Sequence, residues 1–251
     1  MDRSIALLAA GERPPFFVQN PGGRSSLLIV GDHAGCEVPV RLAGLGLPPP
    51  ELLRHIGWDI GVAALGAALA EALDASFIAQ RFSRLVIDCN RDPSRADAVC
   101  AESDATCVPG NLGLSPAQRR ARVTEVFEPY HARIEAEIDR RMARGQEPRL
   151  LALHSFTPVL AGAPRPWRLG VLHMGLTPLS TRVLAGLRAR LPASEVGENA
   201  PYAMDQTDYT VPRHAISRGL DYLELEVRQD LLAHATAVAD TAAFLAPLLS
   251  E

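Results

Sequence analysis

The stretch Leu27–Pro39, LLIVGDHAGCEVP, constrains the fold of this chain more than any other. Four consecutive apolar residues, Leu27 to Val30, are stopped abruptly by Gly31-Asp32-His33-Ala34-Gly35. A short apolar run closed by turn residues reads as a buried strand, and buried strands belong to sheets covered by helices on both faces. In such α/β proteins, ligands gather where strands end. His33 stands at such an end, and Asp32 beside it is a carboxylate able to fix an imidazole tautomer for metal binding.

Strand and helix patterns alternate along the chain. Residues 1–26 read as an irregular lead-in broken by Pro14-Pro15 and Pro21-Gly22-Gly23, and Arg41–Pro50 reads as loop. A helical pattern runs from Glu51 to about Ala75, with Gly57-Trp58-Asp59-Ile60-Gly61 inside or just before it. The two glycines suggest a break that frees Asp59 to point at something. Ser76–Ala79 and Arg84–Asp88 read as strands, and Asn90–Gly113 as a long functional loop. Ser115, Pro116 and Gln118 predict a capped helix that runs to Gly145. Its apolar stripe faces the core, and His131 with the helix's many charged residues is expected on a solvated face. Arg149–Leu153 and Leu169–Leu172 read as strands leading into His154 and His173. A helix opens at Thr177-Pro178, a polar loop spans Glu198–Pro212, Tyr222–Val227 alternates as a strand, and Asp230–Leu249 closes the chain as a helix. The expectation is one α/β domain over residues 1–251 with a mixed or mostly parallel sheet.

Composition removes several classes of partner. A net charge of −4 and a pI near 6.0 leave no basic field for nucleic acid or anionic lipid. The apolar run Ile5–Ala10 is too short for a secretory signal and no stretch reaches membrane-spanning length, so a soluble cytoplasmic protein is expected. Cys36, Cys89, Cys100 and Cys107 form no paired spacing and read as reduced thiols.

The chemistry-bearing residues share one grammar, a polar residue where an apolar strand stops. His33 and His154 are two imidazoles that neighbouring strand ends can bring onto one ion. A catalytic zinc needs a third protein ligand, from Glu37, Cys36 or Asp59. In Tyr222–Arg228, alternation sets Leu223, Leu225 and Val227 on one face and Tyr222, Glu224, Glu226 and Arg228 on a polar one. Glu226, at that strand's end, can take a proton from water. Arg91 either clamps a substrate carboxylate or forms a structural salt bridge to Asp88 or Asp92.

Taken together, DHAGCEVP, GWDIGV, SRLVIDCNRDP, LALHSFTP, ENAPY and LELEVRQDL resemble the N-formylglutamate amidohydrolase family, in family order from about Leu27 to Leu231. That family is similar to zinc carboxypeptidases and aspartoacylase-like deacylases. The resemblance implies a three-layer α/β/α sandwich around a mixed, mostly parallel sheet, with one zinc and a small N-acyl amino acid as substrate. It implies His33 and His154 as ligands and Glu226 as general base, with Arg91 on the substrate carboxylate. Asn90 and Tyr202 would position the substrate, and His214 or Arg228 would line the pocket. Where carboxypeptidases carry a glutamate three residues after the first histidine, this chain has Cys36, which leaves the third ligand open. Asp59 is preferred because GWDIG fits the family, ahead of Glu37 and then Cys36.

Overall fold

The computed structural model describes residues 6–250, so residues 1–5 of the expected lead-in, and with them the start of the run Ile5–Ala10, lie outside the described residues. Seven strands form one mixed sheet: β1 (Phe16–Gln19), β2 (Leu27–Gly31), β3 (Ser76–Gln80), β4 (Arg149–Phe156), β5 (Leu169–Leu172), β6 (Val196–Glu198) and β7 (Tyr222–Arg228). Their spatial order is β1-β3-β2-β4-β7-β5-β6. The central four, β3, β2, β4 and β7, run parallel. β1 is antiparallel to β3, while β5 and β6 run against β7. The C-terminal ends of four parallel strands therefore share one edge, where ligands collect in open α/β sheets.

Helices cover both faces, giving a three-layer α/β/α sandwich. On one face, α1 (Val62–Ala72), α4 (Pro178–Arg188) and α6 (Ala235–Leu249) bury Leu65, Leu69, Val183, Leu187, Leu245 and Leu248 against Ile29, Leu151, Leu153, Leu223, Leu225 and Val227. On the other, α2 (Pro116–Arg122) and α3 (Glu128–Met142) pack Tyr130, Ile134 and Ile138 against Leu28, Val30, Ile78 and Leu150. Short α5 (Thr210–His214) lies on the same side, where Val211 and Ala215 join that second core. Among the described residues, no helix is long and apolar enough to cross a membrane.

Local signals explain most boundaries. The Ser115 hydroxyl accepts the Gln118 N–H while the Gln118 side chain accepts the Ser115 N–H, a complete capping box. A wide turn over Val123–Phe127 joins α2 to α3. Pro129 has no N–H to offer the Glu125 carbonyl, and the ladder loosens ahead of it.

Four expectations are corrected. The lead-in contains β1, a short edge strand after Pro14-Pro15 that pairs with β3. The single helix expected over Glu51–Ala75 is a one-turn piece at Pro49–Leu52, a turn through GWDIG, and then α1. Arg84–Asp88 is not a strand but a string of turns, its N–H groups reaching Gly57, Ser83 and Ala98 carbonyls. Its apolar residues Leu85, Val86 and Ile87 are buried under α2 and α3 rather than paired in the sheet. The helical face expected to be solvated holds buried His131, Arg122, Glu137 and Arg141. Burial is affordable because each is satisfied: Arg122 donates to the Val86 and Gly110 carbonyls and to Asn111, and Arg141 to Glu137, Ser76 and the Ser25 carbonyl.

Candidate metal centre

The GWDIG turn delivers Asp59 to the shared strand edge. A Cβ on Gly57 would lie 2.3 Å from the Leu52 carbonyl oxygen, and Gly61 has φ of +86° where α1 begins, so both positions require glycine. Between them the Asp59 N–H donates to the His33 carbonyl at 2.9 Å, which ties this turn to the loop after β2. His154 lies inside β4, two residues before its end, in direct register with Glu226 on β7.

His33, Asp59 and His154 converge, all three buried, with one ligand atom from each within 4.8 Å of the others. Asp59 Oδ2 lies 3.0 Å from His154 Nδ1 and 3.5 Å from His33 Nδ1. These separations bracket the roughly 3.3 Å edge of a tetrahedron whose ligands sit about 2.0–2.1 Å from zinc. His33 Nδ1 has no hydrogen-bond partner although it is buried. Two imidazoles, one of them with an orphaned nitrogen, and a carboxylate this close together fit a divalent cation.

Further carboxylates back the two rings. Asp88 Oδ1 meets His33 Nε2 at 2.7 Å, and the other Asp88 oxygen accepts Arg84 at 2.6 Å. Asp32, expected to fix the tautomer of its neighbour His33, turns instead toward His154 Nε2 at 3.4 Å. Burial and Arg84 oppose protonation of His33, but Asp88 and Asp59 outweigh them and raise its pKa. Burial likewise opposes protonation of His154, yet Asp32 and Asp59 push its pKa well up. Asp59 is held below the usual carboxylate range, since the two histidines overcome its desolvation. The centre is electrostatically suited to hold positive charge.

A cleft of about 810 Å³ opens from this centre, and His33, Asp59, His154, Glu224 and Glu226 line its inner wall. Both glutamates are buried, and each has an oxygen, Oε2, without a hydrogen-bond partner. Burial raises both carboxyl groups, Glu224 to about 8. The polar face of β7 is thus the inside of a cavity rather than a solvent-facing surface. Arg91 also lines the cleft and pairs with Asp208 at 3.2 Å, not with Asp88 or Asp92 as the salt-bridge alternative had it. Asn90 accepts the Tyr209 and Thr210 N–H groups and donates to Asp208, so it pins the loop beside Arg91. Tyr202 stands on the outer wall, its ring 4.7 Å from the Arg165 guanidinium.

Several expected participants lie elsewhere. His214 is fully buried against His131, with a ring-to-ring contact of 2.8 Å, and does not line the cleft. Arg228, the last residue of β7, stands outside the cleft lining, bonded to Asp230 and to the carbonyls of Arg165, Pro166 and Trp167. Glu37 pairs with Arg13 and Arg81 near the surface, and it and Cys36 stand outside the His33–Asp59–His154 cluster. The chain after Gly35 is drawn away toward Arg81 and Phe82 by backbone bonding, which removes both from reach. Conversely, Arg84, Asp88 and Glu224 line the same cleft, although no sequence motif marks them for it. Arg84 and Asp88 had a weak signal, opposite charges four apart, but their stretch read as a strand, which would have set them on one face without bending them inward.

The sequence model of the N-formylglutamate amidohydrolase family matches residues 25–233. No curated protein matches the sequence. Among solved structures, a gene product from Agrobacterium tumefaciens is 34% identical with a TM-score of 0.92, the match covering 97% of this chain and 96% of that one. An N-formylglutamate amidohydrolase from Ralstonia eutropha is similar in fold, with a TM-score of 0.73 at 22% identity over 94% of this chain and 97% of the other.

Proposed function

Since the chain belongs to the N-formylglutamate amidohydrolase family, we propose that it is a zinc-dependent hydrolase of the amide in a small N-acyl amino acid, N-formyl-L-glutamate being the first candidate. The observation that carries this reading is the buried carboxyl of Glu226, with an unpartnered oxygen, on the strand position beside His154 in the His33–Asp59–His154 cluster. A binding protein has no need of a proton acceptor there.

His33, Asp59 and His154 would hold the ion, which when bound supplies Lewis acidity toward the acyl oxygen and acidifies water. Glu226 takes the proton of the attacking water and returns it to the amine nitrogen as the C–N bond breaks, yielding a carboxylate and a free amino acid. Its burial raises its proton affinity toward neutrality, as a group that must both accept and give a proton requires. Arg91 is the better anchor for the substrate carboxylate, because Arg84 is already held between Asp88 at 2.6 Å and Asp59 at 3.6 Å. Asn90 fixes the backbone of that anchor, and Tyr202 closes the outer wall.

A cleft of about 810 Å³ has room for more than a formyl group, which favours a second reading, a deacylase or carboxypeptidase-like hydrolase for larger N-acyl amino acids or short peptides. Metal analysis of wild type and His154→Ala, run beside hydrolysis of formyl, acetyl and succinyl glutamate, tests both. About one zinc per chain, lost in the variant, with formate released from N-formylglutamate, is expected. Zinc with turnover only of the larger substrates selects the second reading, and metal-free wild type with no turnover rejects both.

A further inference from the structure

We infer that Asp32 is the positioning residue that sets the tautomer and orientation of His154, and that Tyr130 and Thr210 hold it in that task. The inference rests on the reading of His33, Asp59 and His154 as an ion-binding cluster. His154 Nε2 and Asp32 Oδ2 are both buried, both lack any other hydrogen-bond partner among the described residues, and face each other at 3.4 Å. With the ion bound at Nδ1 beside its fellow ligand Asp59, the ring carries one proton, and since the carboxylate of Asp32 only accepts, that proton belongs on Nε2. Nδ1 is then left with its lone pair, and it is the nitrogen that lies 3.0 Å from Asp59. A ring protonated on Nδ1 instead would turn a donor toward the ion.

The other oxygen of Asp32 is clamped. Tyr130 from α3 donates its hydroxyl to Oδ1 at 2.8 Å, and Thr210 from α5 donates at 2.9 Å. Two donors on one oxygen fix the rotation of the carboxylate and leave Oδ2 for the imidazole. Thr210 also gives its N–H to Asn90, so one short helix reaches both the histidine support and the loop that carries Arg91. His33 is served differently, by Asp88 and the charged Arg84. Each imidazole therefore has its own carboxylate, and the aspartate preceding His33 in the chain serves the other ring.

Two measurements test this. ¹⁵N NMR of the zinc-loaded wild type reads the His154 tautomer without any substitution, and a proton on Nε2 is expected; a proton on Nδ1 would overturn the assignment. Cobalt(II) affinity, measured by competition with a chromophoric chelator, is compared for wild type, Asp32→Asn, Tyr130→Phe and His154→Ala. Loss of a supporting partner of this kind costs roughly 10–100-fold in metal affinity. Asp32→Asn should weaken cobalt by that factor and Tyr130→Phe by less, since Thr210 still donates, with His154→Ala the weakest. Cobalt bound by wild type and Asp32→Asn equally would reject the role of Asp32 while leaving the metal site standing. A wild type that binds neither ion would remove the site and the inference together.

Discussion

The same strands build two opposite environments. On one face of the sheet, Leu151 and Leu153 of β4 and Leu223, Leu225 and Val227 of β7 meet three helices through apolar contact alone. On the other face, Leu150 and Ala152 of β4 give way toward the strand end to His154, and β7 sets Glu224 and Glu226 beside it, all three buried. Period two makes every strand serve both sides. Labour is divided between the faces: the apolar one holds strand geometry firmly enough for the polar one to keep ionisable groups out of water. Desolvating an unpaired carboxyl costs several kcal/mol, so it persists only where the surrounding scaffold over-determines its place.

The polar face depends most heavily on Glu226. Glu226→Gln keeps the shape and removes the proposed proton acceptor, so kcat should fall by about 10²–10⁴-fold, on the order of 3–5 kcal/mol of barrier. Zinc content and melting temperature should stay at wild-type values. Activity within about tenfold of wild type would take the general base away from this residue.

Next in size is an acid effect confined to the polar face. Burial depresses His131 to about 4 and His214 to about 3, from an ordinary value of 6.5. Both rings are neutral in the folded chain, while the unfolded chain protonates them below about pH 6.5. The unfolded state thus binds more protons, and the stability these rings contribute is complete above pH 6.5 and declines as pH falls through 4 toward 3. By pH 4 the loss should reach a few kcal/mol for the pair taken together, since the two rings touch and do not titrate independently. Urea denaturation of wild type and of a His131→Gln/His214→Gln double variant isolates it: the gap between their pH–stability slopes should appear only below about pH 6.5.

The apolar face answers with stability alone. Leu225→Ala, facing away from Glu224 and Glu226, should cost about 3 kcal/mol, within the 2–5 kcal/mol of comparable truncations. The kcat of the folded fraction should stay within about twofold of wild type. A loss of turnover as large as that of Glu226→Gln would show that the faces are not independent.

How much of this was legible in the sequence follows the same division. Strands β2, β4, β5 and β7 announced themselves, because burial on both faces leaves continuous apolar runs or clean alternation. The capping box at Ser115 and the glycines around Asp59 carried their geometry in local chemistry. Arg84–Asp88 misled because burial under α2 and α3 enriches the same residues that a strand does, and no local signal separates the two. His131, Arg122 and Arg141 looked solvated because their partners are carbonyls and side chains far away in sequence, as in the Arg141 bond to Ser25. The role of Asp32 was hidden for the same reason, since nothing in GDHAG says that its side chain meets a histidine 122 positions later.

The smallest expected effect contrasts the two arginines of the polar face. Arg84 is spent on Asp59 and Asp88, whereas Arg91 has one carboxylate partner, Asp208, reached through Nη1. A planar guanidinium binds a carboxylate through two parallel N–H groups, and an ammonium can only offer a point charge. Arg91→Lys should therefore raise KM for N-formylglutamate by about tenfold, near 1.4 kcal/mol, with kcat nearly unchanged, because the lost contact is made equally in the ground and transition states. Replacing the substrate carboxylate by a neutral amide should raise KM more for wild type than for the variant, whose ammonium keeps the charge but not the two parallel N–H groups. If the two proteins discriminate carboxylate from amide alike, the anchor lies elsewhere in the cleft and Arg91 is, like Arg84, part of the frame.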